Sequence, residues 1–254
     1  MSERTAPDTA HQPASVAASN TVGDRIDAGN ARWTFSGGVA DSFEEHIERS
    51  VPGYRAGHEI VAQLSDFFVA DGSVVYEIGC STGALLRRLA EWNDAKGARF
   101  VGIEVEGDMV TAAERLAAAV PEIQIVHDDA LNVEMEPADL IVAYYTMQFV
   151  RPSRRQQLFD KIYENLNWGG AFVMFEKVRA PDARFQDMMT TLYADHKLSE
   201  GFEPAEIVAK TRSLKGVLEP FSTQGNIEML ERAGFVDHTT VFKHLCFEGF
   251  LAIK

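Results

Sequence analysis

Three acids in this chain each close a short apolar run: Glu77 after VVY, Glu104 after VGI, and Asp129 after IQIVHD. Glycines at 79 and 83 enclose Cys80-Ser81-Thr82 directly after the first acid. Glycine lets a backbone turn tightly and lets a ligand come close to it. An acid at the end of a second strand accepts two hydrogen bonds from ribose hydroxyls. An acid at the end of a third can face an adenine amine. The G-x-x-x-G spacing differs from the G-x-G-x-x-G of dinucleotide folds. Together these residues describe a nucleoside pocket without a phosphate grip, which suits S-adenosylmethionine (SAM) better than NAD. Taken singly, each has a plainer reading. A strand-end acid is usually solvated, and an aspartate commonly caps a turn. Their order at successive strand ends carries the inference.

Such a pocket needs a sheet whose strands all end on one side, and the pattern supplies it. From Val74, short apolar runs alternate with amphipathic stretches: VVYEI, ALLRRLAEW, RFVGIEV, DMVTAAERLAAA, IQIVHDD, DLIVAYYT, RRQQLFDKIYENL and AFVMFEKV. Strands separated by helices of this length give a parallel sheet with helices on both faces. The expected fold is α/β, a doubly wound, mostly parallel, seven-stranded Rossmann-like sheet. Gly169-Gly170 is expected to end the helix before AFVMFEKV. Helices are also expected over DSFEEHIERS and over a stretch carrying Ile60, Val61, Leu64, Phe67 and Phe68. A helical insertion spans about 182–220, and TTVFKHLCF with FLAIK forms an antiparallel C-terminal edge. Residues 1–30, rich in Ala, Ser, Thr and Pro, read as a disordered tail, and 31–254 as one domain.

The chain has 254 residues, is 46% hydrophobic and carries a net charge of −14. That field repels phosphate backbones, so a nucleic-acid partner is disfavoured. No apolar run is long enough to span a bilayer and no secretory signal is evident, so no membrane role is expected. The two cysteines, Cys80 and Cys246, have neither CxxC nor zinc spacing. No metal is expected, and a reducing cytoplasm fits. Cys80 reads as a packed turn residue, since no basic neighbour is evident to activate it.

The E-I-G-C-S-T-G loop, Glu104 and Asp129 resemble motifs of class I SAM-dependent methyltransferases. More narrowly, the chain resembles the bacterial carboxy-S-adenosylmethionine synthases. The shared stretches are RSVPGY (49–54), GCS (79–81), TMQFVRPSRRQ (146–156), LFDKIYENLNWGGA (158–171), EKV (176–178), KTRS (210–213) and ERAGF (231–235). The resemblance runs from about Trp33 to Lys254. It implies that Tyr54, Glu77, Gly79-Cys80-Ser81, Glu104-Val105, Asp129-Ala130 and Tyr144 hold the cofactor. It also implies a homodimer in which Arg212, donated by the second subunit, binds a carboxylate. Three positions depart from the family's usual residues: Glu77 and Glu104 stand where Asp is usual, and Tyr144 stands where the family has Asn.

A phenol beside the reacting sulfonium changes both the space and the donors there. The expected reaction is therefore methyl transfer from SAM to a small acceptor bearing a carboxylate, of amino or α-keto acid type. The alternatives are carboxy-SAM synthesis from SAM and prephenate, or a non-catalytic SAM-binding subunit. If the acceptor is a carbon beside a ketone, a base must act, and Tyr144, His196 and His127 are the candidates. Arg212 is the expected carboxylate clamp. Tyr144 and Tyr145, alternating in a strand, are expected to face the pocket and the core respectively, with both near the substrate.

Overall fold

The computed structural model describes residues 21–23, 26, 29–36 and 39–254. Seven strands form one sheet: β1 (Val74–Ile78), β2 (Arg99–Glu104), β3 (Ile123–His127), β4 (Ala138–Tyr144), β5 (Leu166–Lys177), β6 (Asp237–His244) and β7 (Phe247–Ile253). Their order is β3-β2-β1-β4-β5-β7-β6. The first five pair in parallel, and β7 runs antiparallel between β5 and β6. The helices are α1 (Val39–Ser50), α2 (Tyr54–Ser65), α3 (Ala84–Trp92), α4 (Gly107–Ala117), α5 (Pro152–Asn165), α6 (Ala183–Ser199), α7 (Pro204–Ser213) and α8 (Thr223–Ala233).

The central strands β1 and β4 read as near-continuous apolar runs because both faces of the sheet are covered there. In β1, Val74, Tyr76 and Ile78 pack with Leu158, Phe159 and Ile162 of α5 and Leu230 of α8. Val75 faces the other way, toward Val61 of α2 and Leu86 and Leu89 of α3. β4 divides likewise, with Ile141 and Ala143 on the α5 side and Leu140, Val142 and Tyr144 on the α2 side. The period of two is the ordinary alternation of a strand. β2 flanks β1 on one side and β4 on the other, so the chain changes winding direction there. A crevice opens at such a switch point, outside the carboxyl ends of the strands.

Three boundaries differ from the sequence reading. Gly169-Gly170 does not end a helix; α5 stops at Asn165, Leu166 is already extended, and β5 starts there. Leu166 pairs with Ala138, and the register shifts before Leu140 meets Ala171. Pairing with β4 thus pulls the glycines into an irregular strand lead-in. At α2, the helix ends at Ser65, and Phe67 lies beyond it, 81% exposed. At the N-terminus, most of the expected tail lies outside the described residues. Val22 and Ile26, within its range, are buried with Trp33, Phe43, Met109 and Ala209. The helical insertion comprises α6 and α7. Trp33 is tied to it, its N–H donating to the Ser213 carbonyl at 3.1 Å.

Candidate active site

The turn after β1 needs its glycine. Gly79 has φ +69°, and a Cβ there would lie 2.4 Å from Thr146 Cγ2. Ser81 and Gly83 also take positive φ, so the backbone coils tightly before α3 begins. The Gly79 N–H donates to the Ile103 carbonyl at 2.7 Å, which ties the turn to β2. Glu104 completes the tie. Its carboxylate accepts from the Ser81 N–H at 2.9 Å, the Val105 N–H at 2.8 Å and the Glu106 N–H at 3.0 Å. Cys80 turns away, its sulfur packing against Gly102. Burial raises its thiol pKa, which leaves it a poor nucleophile.

Acids converge around this turn, with Glu104 in the cavity lining and Glu77 and Glu44 behind it. Glu77 is 3% exposed, and its Oε2 has no hydrogen-bond partner among the described residues. Burial raises its pKa well above the usual carboxyl value, helped by the charges of Glu44 and Glu104. Glu44, on α1, accepts from the Thr82 hydroxyl and is itself raised by burial. Burial also raises Glu104, against its three backbone N–H donors. A site that crowds carboxyl groups and leaves one oxygen unpaired fits a cationic ligand. Asp129 lines the cavity with Val105 and Ala130. Its Oδ1 accepts from the Leu131 N–H at 2.9 Å, and its Oδ2 pairs with Arg154 at 2.8 Å.

The cavity encloses about 1010 Å³ and is walled by three distant parts of the chain. Trp33, Phe35 and Phe43 come from the N-terminal segment and α1; the strand ends form the floor; Met189, Tyr193 and Lys197 of α6 and Leu214 form the far side. This volume is at the upper end for a small-molecule site. It leaves room for SAM and a second small ligand. Among the described residues, no group of three metal-ligating side chains forms.

Aromatic rings line one wall. Tyr144 lies 5.2 Å from Tyr54, 4.8 Å from His58, 4.8 Å from Tyr145 and 4.8 Å from Phe175, between centroids. The expected alternation of Tyr144 and Tyr145 does not hold. β4 ends at Tyr144, Tyr145 takes φ +58°, and both border the cavity. The Tyr144 hydroxyl bends over Gly57 and donates to the Tyr54 carbonyl. Burial raises its pKa, so it stays a neutral donor. It is therefore badly placed for the expected role of base.

Other expected site residues lie apart from this cavity. His196 is not among its lining; the ring stacks on Tyr193, and Nε2 is buried without a partner. His127 is exposed, with Nε2 against the Val105 carbonyl at 3.1 Å. Arg212 is exposed on α7 and does not line the chain's own cavity. Sequence reasoning passed over Glu44, Arg154, Lys177 and Lys197. One signal was available: β5 is apolar through Phe175 and then turns to Glu176-Lys177 while still in the strand.

A family profile described as a methyltransferase domain matches residues 75–170. Human N-acetylserotonin methyltransferase, solved in complex with SAM, superposes with a TM-score of 0.54 at 16% identity, over 85% of this chain and 65% of its own. A Haemonchus contortus phosphoethanolamine N-methyltransferase, solved with S-adenosylhomocysteine, gives 0.59 at 15% identity, over 85% and 57%. The profile identifies a methyltransferase domain, and these neighbours share its class I methyltransferase fold. The carboxy-S-adenosyl-L-methionine synthase of Staphylococcus epidermidis is 36% identical over 224 residues, covering 88% of this chain and 97% of that one. The chain belongs to that synthase family.

Proposed function

We propose that the chain makes carboxy-SAM, with SAM and prephenate as its two substrates. The observation that carries this reading is the alignment with relatives bearing that name, which spans 88% of this chain and 97% of the first of them. The geometry supports it in two ways. The cavity is large enough for both ligands at once. Tyr144, which replaces the family's Asn, directs its hydroxyl over Gly57 instead of into the cavity.

In this reading Glu104 holds the ribose hydroxyls. Asp129 and Ala130 border the adenine, and the Gly79-Cys80-Ser81 backbone passes beneath the nucleoside. Glu77 and Glu44 back the turn from behind the cavity wall, and the rings of Tyr54 and Tyr144 flank the sulfonium. SAM supplies a methyl carbon acidified by the adjacent sulfonium. That carbon loses a proton and takes up the CO2 freed when prephenate's ring carbon–carboxylate bond breaks. The hydroxide that prephenate expels leaves with that proton as water, and the remainder becomes phenylpyruvate. The chain's own part is to orient that methyl against the second substrate and to exclude water. Arg212 reaches a neighbouring subunit's cavity in a homodimer and clamps a carboxylate there.

Tyr144 itself favours a second reading, methyl transfer to a small acid, because the family's amide is gone. Mass spectrometry after incubation with SAM and prephenate separates the two. A nucleoside product heavier than SAM by the mass of one CO2 is expected. S-adenosylhomocysteine accumulating with a methylated acid would replace the synthase reading with the methyltransferase one.

A further inference from the structure

Along the α6 wall of the cavity, two lysines meet over one ring. Lys177 ends β5, and Lys197 lies in the last turn of α6. Their amino groups sit 4.2 Å and 4.4 Å from the centroid of Tyr193. That ring is fixed, since the Tyr193 hydroxyl donates to the Ser50 carbonyl at 2.9 Å. Lys197 is 8% exposed, and both lysines line the cavity.

Both lysines lack an ionic partner among the described residues without being exposed to solvent, unlike the exposed Lys215. Lys96 and Lys243 pair with carboxylates, and Lys161 and Lys254 donate to backbone carbonyls. Among the described residues, neither Lys177 nor Lys197 has a carboxylate or a hydrogen-bond acceptor within reach of its amino group. The groups around them are Arg179, Cys246 and Phe247 on the cavity side, with His46, Ser50, Glu206 and Lys210 behind Lys197, Glu206 lying beyond ion-pair distance of its amino group. Burial lowers both pKa values, and Lys177's charge helps push Lys197 down to about 7. Burying two unpaired cations side by side is unfavourable unless an anion joins them. A cation over an aromatic face recovers only part of that penalty.

We propose that Lys177 and Lys197 form the chain's own receptor for the second substrate, binding the carboxylates of a small organic dianion. The anion lies over Tyr193, with its reacting end toward Tyr54 and Tyr144. The receptor rests on reading the cavity as a two-ligand site, and it deepens the proposed function by supplying an anion site within the subunit. Arg212, by contrast, would arrive from the partner.

The test is calorimetric. Prephenate, and separately succinate as a non-reacting dicarboxylate, are titrated into protein saturated with S-adenosylhomocysteine. Wild type should bind both. Lys177→Met and Lys197→Met should each weaken binding about tenfold or more, the loss of a charge-assisted contact. Affinity for S-adenosylhomocysteine should not change. Lys197→Arg keeps the charge and should retain binding. Methionine removes an unpaired buried charge at similar length, so both Met variants should melt no lower than wild type. A Met variant that fails to fold would assign the lysines to structure and overturn the proposal. So would a wild type that binds neither dicarboxylate, or Met variants that bind like wild type. Lysine-dependent binding without carboxy-SAM formation would leave the receptor standing and remove the synthase reading. Carboxy-SAM made at the wild-type rate by both Met variants would do the reverse.

Discussion

Lys197 should betray its burial even without ligand. Its pKa in the fold is about 7, against 10.5 for a free lysine. Below the folded value both states hold the proton, and the penalty of a buried charge is at its full size. Between the two values the unfolded chain holds a proton that the folded chain has released, so stability rises with pH. Lys177, shifted in the same direction, adds to the same trend. Lys197→Met should therefore be more stable than wild type near about pH 6, with the gap closing toward about pH 10. Thermal melts at the two pH values check this, and a gap that stays constant would mean Lys197 is not the buried cation described. Glu104 offers a second measurement at this scale. Glu104→Ala removes the acceptor for the Ser81, Val105 and Glu106 N–H groups and for the ribose. SAM affinity should fall about tenfold or more by calorimetry. Much of the acidic end of the site was legible in the sequence, because Glu77, Glu104 and Asp129 follow apolar runs whose ends a parallel sheet must bring together. The lysine end was not. Lys197 shares no local pattern with Lys177, and only the packing of α6 against β5 makes them neighbours.

Between elements, the contact of α2 with β4 depends on one absent side chain. A Cβ on Gly57 would stand 2.1 Å from the Tyr144 hydroxyl oxygen and 3.0 Å from Phe175. Gly57→Ala should thus force the phenol from its place and cost about 1–3 kcal/mol, the usual range for overpacking. Tyr144→Phe removes the clashing atom but also the hydrogen bond to the Tyr54 carbonyl. In the double variant the clash is largely gone, so the two losses should be clearly less than additive in chemical denaturation. Strict additivity would show that the phenol does not pack over Gly57. The same principle, that packing outranks local preference, explains which elements the sequence revealed. β1, α3 and β2 lie where the apolar periods place them, because each period coincides with a buried face. β5 begins early because Leu166 finds a partner in Ala138, which no local pattern records. Val22 and Ile26 read as tail by composition, yet they meet a pocket formed by Trp33 and Phe43 from further along the chain.

Across the whole molecule, the strand order sets one cluster of loops against α1 and the α6–α7 insertion. That arrangement gives the cavity acids at Glu104 and Asp129 and lysines at Lys177 and Lys197 within a chain of net charge −14. Arg212 stands outside this enclosure, exposed on α7, although the adjacent Lys210 and Thr211 line it. Its backbone is held, the Arg212 carbonyl accepting from the Ala31 N–H at 2.9 Å. An arginine so placed can serve a cavity only if another subunit brings one to it. The transfer of Arg212 between subunits therefore requires the homodimer. Glu104→Ala disables a site through its own chain, whereas Arg212→Ala should disable the site of the partner. With SAM held well below saturation, each variant alone should retain about a tenth or less of wild-type turnover. When the two are mixed and allowed to reassort, the heterodimer carries both defects at one site and neither at the other. Random exchange between equal amounts should then restore about a quarter of wild-type turnover, since half the dimers are mixed and each has one intact site. Mixtures that remain as inactive as the separate variants, after exchange is verified by mass spectrometry of tagged subunits, would place Arg212 in its own chain's chemistry or outside catalysis altogether.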